Sequence, residues 1–117
     1  MSKVITWLEV EKIHGTVAGI SVKSGRVNSL LCNQQKGGKY PDRINGNRMT
    51  YHIGRFTQRH GVDALFSCSA NPYKVRVFEK IGSNRWVDQG YWVIEGVGTQ
   101  NSDRYTPFYL VKVSDTE

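Results

Sequence analysis

The segment Lys74-Val75-Arg76-Val77 alternates cation and hydrophobe and runs on into Phe78. A period of two places successive side chains on opposite faces of an extended chain, which makes this a half-buried strand and rules out a helix. The pattern recurs downstream. Trp86–Glu95 (WVDQGYWVIE) is rich in aromatic and β-branched residues, and Tyr105–Val113 offers Phe108, Leu110, Val111 and Val113 for burial. Gly82-Ser83-Asn84 forms a turn before the first of these, and Gly96–Arg104 a polar loop before the second.

Upstream, Val17–Val22 reads as a strand ending at the turn Ser24-Gly25, and Arg26–Asn33 as a buried strand carrying Val27, Leu30 and Leu31. Val4–Ile13 fits a short helix or a strand equally well. Arg55–Asp63 (RFTQRHGVD) is polar and mixed and is expected to be a loop. Ala64–Cys68 is a small apolar segment closed by Asn71-Pro72. At least five strands in short meanders, with twelve glycines and little helical periodicity, predict a mainly β domain. Its architecture is a compact barrel or strongly curved sheet, with room for one or two short helices.

At 117 residues the chain is expected to be a single domain spanning 1–117. Its net charge of +6 favours an anionic partner such as nucleic acid. Cys32 and Cys68 lie far apart, with neither CxxC spacing nor clustered histidines, so a structural zinc site is not expected. Two buried thiols point to a reducing compartment. Glu9, Glu11 and Lys12 interrupt the apolar run that a signal peptide needs, and no segment approaches membrane-spanning length. The expected location is the cytoplasm of a microbe, or a nucleus, and not outside the cell.

The stretch Gly37–Gly54 (GGKYPDRINGNRMTYHIG) concentrates binding chemistry. Asn45-Gly46-Asn47 between two short extended runs signals a hairpin. Such a hairpin brings Tyr40 and Tyr51 together with Asp42 between them, ringed by Lys36, Lys39, Arg43 and Arg48. Two aromatic faces and one acid in a basic surface suit a planar polar group carried on a polyanion, such as a nucleobase on its backbone.

Catalytic constellations are lacking in the sequence. His14, His52 and His60 fall in predicted loops without matching carboxylates. Pro41-Asp42 resembles the start of a PD-(D/E)xK nuclease motif, yet no later acid has a lysine two residues on. Neither cysteine has a neighbouring base to activate it, and no glycine-rich phosphate loop follows a strand. A binding module without metal, cofactor or catalytic residue is the expectation.

The order of short motifs resembles a known family. His14-Gly15-Thr16-Val17-Ala18-Gly19-Ile20, then Gly37-Gly38-Lys39-Tyr40-Pro41-Asp42, then Gly46-Asn47 and Thr50-Tyr51, is similar to the SRA (SET- and RING-associated, or YDG) domain. Lys74–Val77 and Arg85–Val93 resemble that family's VRV and YDG segments, and the likeness runs from about residue 13 to residue 113. It implies a curved PUA-like β-barrel that swings 5-methyl- or 5-hydroxymethylcytosine out of duplex DNA into an aromatic pocket. Tyr40 and Tyr51 match the pocket walls and Asp42 the acid that accepts from the exocyclic amine; Thr50 and His52 are placed at the modified edge. Val17 matches a thumb that fills the gap in the duplex. Lys36, Lys39, Arg43 and Arg48 are candidates for the DNA backbone, and Arg55, Gln58 and Arg59 for the minor groove.

The chain departs from the family pattern in three places. Tyr40 is one residue closer to the turn glycine, the segment Arg55–Gly61 is short, and Trp86-Val87 precedes Asp88 with Gln89 inserted. Its small size resembles microbial or phage-type versions, which often accompany a restriction nuclease; this sequence carries no nuclease motif, and a nuclease partner is one expectation, whether in cis or in trans. Two other functions fit the same composition. One is a PUA-like module that binds RNA, and the other a protein-interaction or nuclease-inhibitor module whose basic face docks an acidic partner.

Overall fold

Thr6 decides how the ambiguous N-terminal segment folds. Its hydroxyl accepts from the Glu9 backbone N–H, and the Glu9 carboxylate accepts from the Thr6 N–H at 2.8 Å. This reciprocal capping box satisfies two orphan donors and starts helix α1 over Trp7–His14. Gly15, at φ +77°, ends the helix with a bond from its N–H to the Glu11 carbonyl. The expected ambiguity thus resolves into both elements: a two-residue strand β1, Val4–Ile5, followed by α1.

The computed structural model describes residues 3–35, 40–55 and 57–116. The remaining strands are β2 (Ile20–Lys23), β3 (Arg26–Asn33), β4 (Arg43–Asn45), β5 (Arg48–Ile53), β6 (Val75–Gly82), β7 (Arg85–Val97) and β8 (Thr106–Ser114). They form one sheet in the order β2-β3-β6-β7-β8-β5-β4, with β1 pairing onto β7. All pairings are antiparallel except β3 with β6, whose parallel register sets Leu31 opposite Phe78. Helix α2 (Arg59–Ala70) lies in the crossover between those two strands. The sheet does not close into a complete barrel. It curls, because Ile20 near one edge and Met49 and Tyr51 near the other share a single buried core with α2.

Alternation along β3 divides the molecule. Leu30 and Cys32 point into the main core, while Leu31 points to the other face and joins a smaller cluster of Val10, Phe78 and Trp86 beneath α1. Both cysteines are free and buried. Among the described residues, no helix is long and apolar enough to cross a membrane.

Two sequence expectations need correcting here. Val17 is not in a strand: β2 begins only at Ile20, and Val17 is 83% exposed in the preceding loop. The second half of the expected loop Arg55–Asp63 is helical, since α2 starts at Arg59 and continues through the apolar segment Ala64–Cys68. Its start carries none of the usual signals, because Gln58 makes no side-chain cap and the first turn holds no acid. Gly61 disguised the period further, as glycine costs about 1 kcal/mol relative to alanine inside a helix. It packs closely: a Cβ at Gly61 would sit 3.2 Å from the Ile20 Cβ, so a larger residue would require Ile20 to give way by a few tenths of an ångström.

Candidate functional site: a cleft between two tyrosines

The expected hairpin forms between β4 and β5, with Asn45 paired to Arg48 across the two-residue turn Gly46-Asn47. Only Gly46 has positive φ (+62°), as in hairpins that place glycine at the first turn position. The pairing carries Asp42, just ahead of β4, alongside the end of β5. There the Asp42 Oδ1 accepts from the His52 N–H at 2.7 Å and lies 3.2 Å from His52 Nδ1. Asp42 is 7% exposed, and burial raises its pKa, partly countered by the bonds from His52. Its second oxygen, Oδ2, has no hydrogen-bond partner among the described residues. No fully buried polar side-chain atom there is unpartnered, so Oδ2 is accessible, and Asp42 lines two adjoining clefts.

That cleft has a volume of about 520 Å³, with Tyr40, Asp42, Tyr51, Gly19 and Val17 around one end. Tyr51, 4% exposed, belongs to β5 and to the main core. Burial, reinforced by Asp42, Cys32 and Tyr40, drives its phenol pKa well above the ordinary value. The hydroxyl therefore stays protonated, and it too has no partner among the described residues. It faces Gly19, where a Cβ would approach it to 3.1 Å. A narrower lobe of about 230 Å³ continues between the Val17–Gly19 loop and the start of α2, bordered by Thr57 and Gln58.

Tyr40 is held differently. It lies outside the hairpin ladder, packs edge-on against Tyr105 with centroids 5.4 Å apart, and shares a hydrogen bond with the Thr57 hydroxyl at 3.2 Å. Thr57 also accepts from the Gly54 N–H. A Cβ at Gly54 would come within 2.7 Å of Tyr40 Cε1, so the ring is wedged against bare backbone. The Val17 loop is fixed from behind by buried His14. Its Nε2 bonds the Ala18 carbonyl and its Nδ1 the Ser29 hydroxyl, both at 2.6 Å. A carbonyl can only accept, so Nε2 carries the proton and Ser29 donates to Nδ1. Burial lowers the His14 pKa and keeps the ring neutral.

The residues expected to form the pocket therefore divide. Tyr40, Asp42, Tyr51 and Val17 come together around the cleft. Thr50 and His52 do not border it, because they sit on the opposite face of β5 from Tyr51. Thr50 faces Tyr109 and Arg43 across the ladder, and His52 serves instead to hold Asp42. The expectation that all three histidines lie in carboxylate-free loops fails: His14 ends α1, His60 is in α2 and His52 is bonded to Asp42.

Of the cations, Arg43 flanks an adjoining 330 Å³ cleft that shares Tyr40 and Asp42. Arg48 pairs with Glu95, and exposed Arg59 with Asp63 at 3.2 Å. Arg55 and Gln58 are exposed ahead of α2. Lys36 and Lys39 lie outside the described residues. Among those described, no group of three or more His, Cys, Asp or Glu residues is placed to hold a metal.

Sequence reasoning missed the far end of the cleft. Trp7, Leu31, Lys80, Asn84 and Trp86 line it. The signal was tertiary, since α1, β3, β6 and β7 each contribute.

No protein-family model and no curated sequence matches the chain. Solved structures do. KRYPTONITE in complex with mCHG DNA and SAH superposes with a TM-score of 0.73 at 15% identity, covering 97% of this chain and 32% of that one. The SUVH5 SRA domain with hemimethylated CG DNA gives 0.73 at 21% identity, over 95% of this chain and 84% of that one. The same domain bound to fully hydroxymethylated CG DNA gives 0.67 at 20%, over 92% and 82%. The chain thus spans about a third of KRYPTONITE but most of the isolated SUVH5 domain. Its mainly β, curved, two-helix architecture is the SRA fold.

Proposed function

We propose that this protein is a DNA-binding reader of modified cytosine, taking a 5-methyl- or 5-hydroxymethylcytosine swung out of duplex DNA into the cleft between Tyr40 and Tyr51. The observation that carries this reading is a cleft lined by Tyr40, Tyr51 and Asp42, in which Asp42 Oδ2 and the Tyr51 hydroxyl have no hydrogen-bond partner among the described residues. Solved structures of the same fold in complex with methylated and hydroxymethylated DNA support it.

Flipping a base out of the duplex costs a few kcal/mol of stacking and pairing. Stacking on an aromatic side chain returns about 1–3 kcal/mol per base, so two tyrosines offset the cost. Asp42 Oδ2 accepts from the exocyclic amine of cytosine, a donor that thymine lacks. Val17, apolar and exposed at the cleft mouth, fills the vacated space in the stack. Arg43, Arg55, Gln58 and Arg59 contact backbone and groove, and phosphate contacts position the protein without reading sequence. On this reading the domain binds modified DNA and performs no chemistry of its own.

The test is an affinity series on duplexes with plain, 5-methyl- and 5-hydroxymethylcytosine, with matching RNA as the control for the RNA-binding alternative. Asp42→Ala is expected to lose the preference for modified DNA while weak, salt-dependent binding survives. Equal loss on every DNA refutes the pocket role. Failure of the folded protein to bind any oligonucleotide at low salt favours a protein partner instead.

A further inference from the structure

The cleft is larger than the base it is assigned. At about 520 Å³ it falls within the range of pockets that enclose whole drug-sized molecules, about 300–1,000 Å³. A flat pyrimidine between Tyr40 and Tyr51 occupies only one end. The other end, on the α1 side of the sheet, is built from the indoles of Trp7 and Trp86, tilted by 41° with centroids 5.4 Å apart, together with Lys80 and Asn84.

Those groups are positioned to act on a ligand. Asn84 is held at φ +52° and spends its side-chain oxygen on the Trp7 N–H at 2.9 Å, which orients its amide nitrogen. Lys80 lies opposite Trp86 in the β6–β7 ladder and makes no ion pair among the described residues. An apolar indole surface flanked by an amide and an ammonium donor suits a hydroxyl-rich ring, whose C–H face packs on the aromatic while its hydroxyls accept the hydrogen bonds. In cytosine the 5-position adjoins the carbon bearing the amine. A base whose amine meets Asp42 therefore has its 5-substituent next to Asp42, in a cleft that Trp7 and Trp86 also line.

We infer that the cleft accepts cytosine bearing a bulky, hydroxyl-rich group at position 5, of the class of a hexose joined through the 5-hydroxymethyl oxygen. Trp7 and Trp86 form the platform for the sugar, and Lys80 and Asn84 bond its hydroxyls. The inference rests on the modified-cytosine reading above and adds the size and chemistry of the modification.

The experiment measures affinity for otherwise identical duplexes carrying cytosine, 5-methylcytosine, 5-hydroxymethylcytosine or its glucosylated form. Wild type, Lys80→Ala and Asn84→Gly are compared; glycine keeps the positive φ. Wild type is expected to bind the glucosylated duplex at least as tightly as the hydroxymethylated one. Each variant is expected to weaken the glucosylated complex roughly fivefold, the size of one lost hydrogen bond, and to leave the hydroxymethylated complex unchanged. About tenfold weaker binding of the glucosylated duplex by wild type, with 5-hydroxymethylcytosine still preferred over cytosine, overturns the inference and leaves the reader assignment standing. So does an equal effect of the variants on all modified duplexes. Absence of any preference among the four duplexes removes the reader assignment, and the inference falls with it.

Discussion

Tyr51 and Tyr40 wall the same cleft and are held in unlike ways. Tyr51 is a strand residue, paired to Phe108 in the ladder and buried in the main core. Tyr40 lies outside the hairpin and is placed by an edge contact to Tyr105, one hydroxyl bond to Thr57 and the bare backbone of Gly54. The fold thus supplies one wall and local side-chain contacts the other. On the proposed reading, stability and recognition are coupled at Tyr51 and separable at Tyr40.

The largest expected effect tests that coupling. Tyr51→Ala removes a core aromatic and should cost about 3–5 kcal/mol of stability along with DNA preference, both visible in a denaturant titration and a binding curve. Tyr40→Ala should abolish the preference with a stability change of about 1 kcal/mol or less. Equal destabilisation by the two would erase the distinction.

Next comes Asp42→Asn. Burial raises the Asp42 pKa, so the folded protein binds that proton more tightly than the unfolded chain. The stability associated with Asp42 is therefore fully present below its unfolded pKa and lost as pH rises through the raised folded value. Asparagine keeps the acceptor for the His52 N–H but points an amide donor at the cytosine amine. The variant is expected to melt higher than wild type at neutral pH, to flatten the pH dependence in the acidic range, and to lose its preference for modified duplexes by about tenfold or more. In wild type, acidification should weaken that preference while stability improves. A variant that melts lower at neutral pH would contradict the assignment of burial as the dominant cause.

A subtler change sharpens the contrast between the walls. Gly54→Ala drives a methyl toward Tyr40 and leaves Tyr51 untouched, so affinity for modified DNA should fall by about tenfold with stability reduced by roughly 1–2 kcal/mol. The smallest expected effect is Val17→Ser, which should lower affinity severalfold at unchanged melting temperature, because Val17 is exposed and leaves no cavity.

The strand-held wall was legible in the sequence and the loop-held wall only in part. Period-two alternation located β6, runs of apolar, aromatic and β-branched residues located β3, β7 and β8, and the glycine turn located the hairpin that carries Tyr51 and Asp42. Strand alternation also contained a warning about Thr50 and His52, since a strand that turns Tyr51 inward turns both neighbours outward. Helix α2 was hidden by an uncapped start and by Gly61, which packs closely against Ile20. Nothing near Tyr40 in sequence announces Tyr105 or Thr57 as its supports. Nor does any local pattern announce the parallel pairing of β3 with β6, which belongs to the tertiary fold.

The most direct measurement places 2-aminopurine next to a single 5-methylcytosine in a duplex and follows its fluorescence as protein is added. Departure of the methylated base from the stack deprives the probe of a stacking neighbour, and the account predicts brightening with wild type on the methylated duplex. It predicts none on the unmodified duplex, and none with Asp42→Asn. Tight binding of methylated DNA with no change in the probe's emission would contradict it.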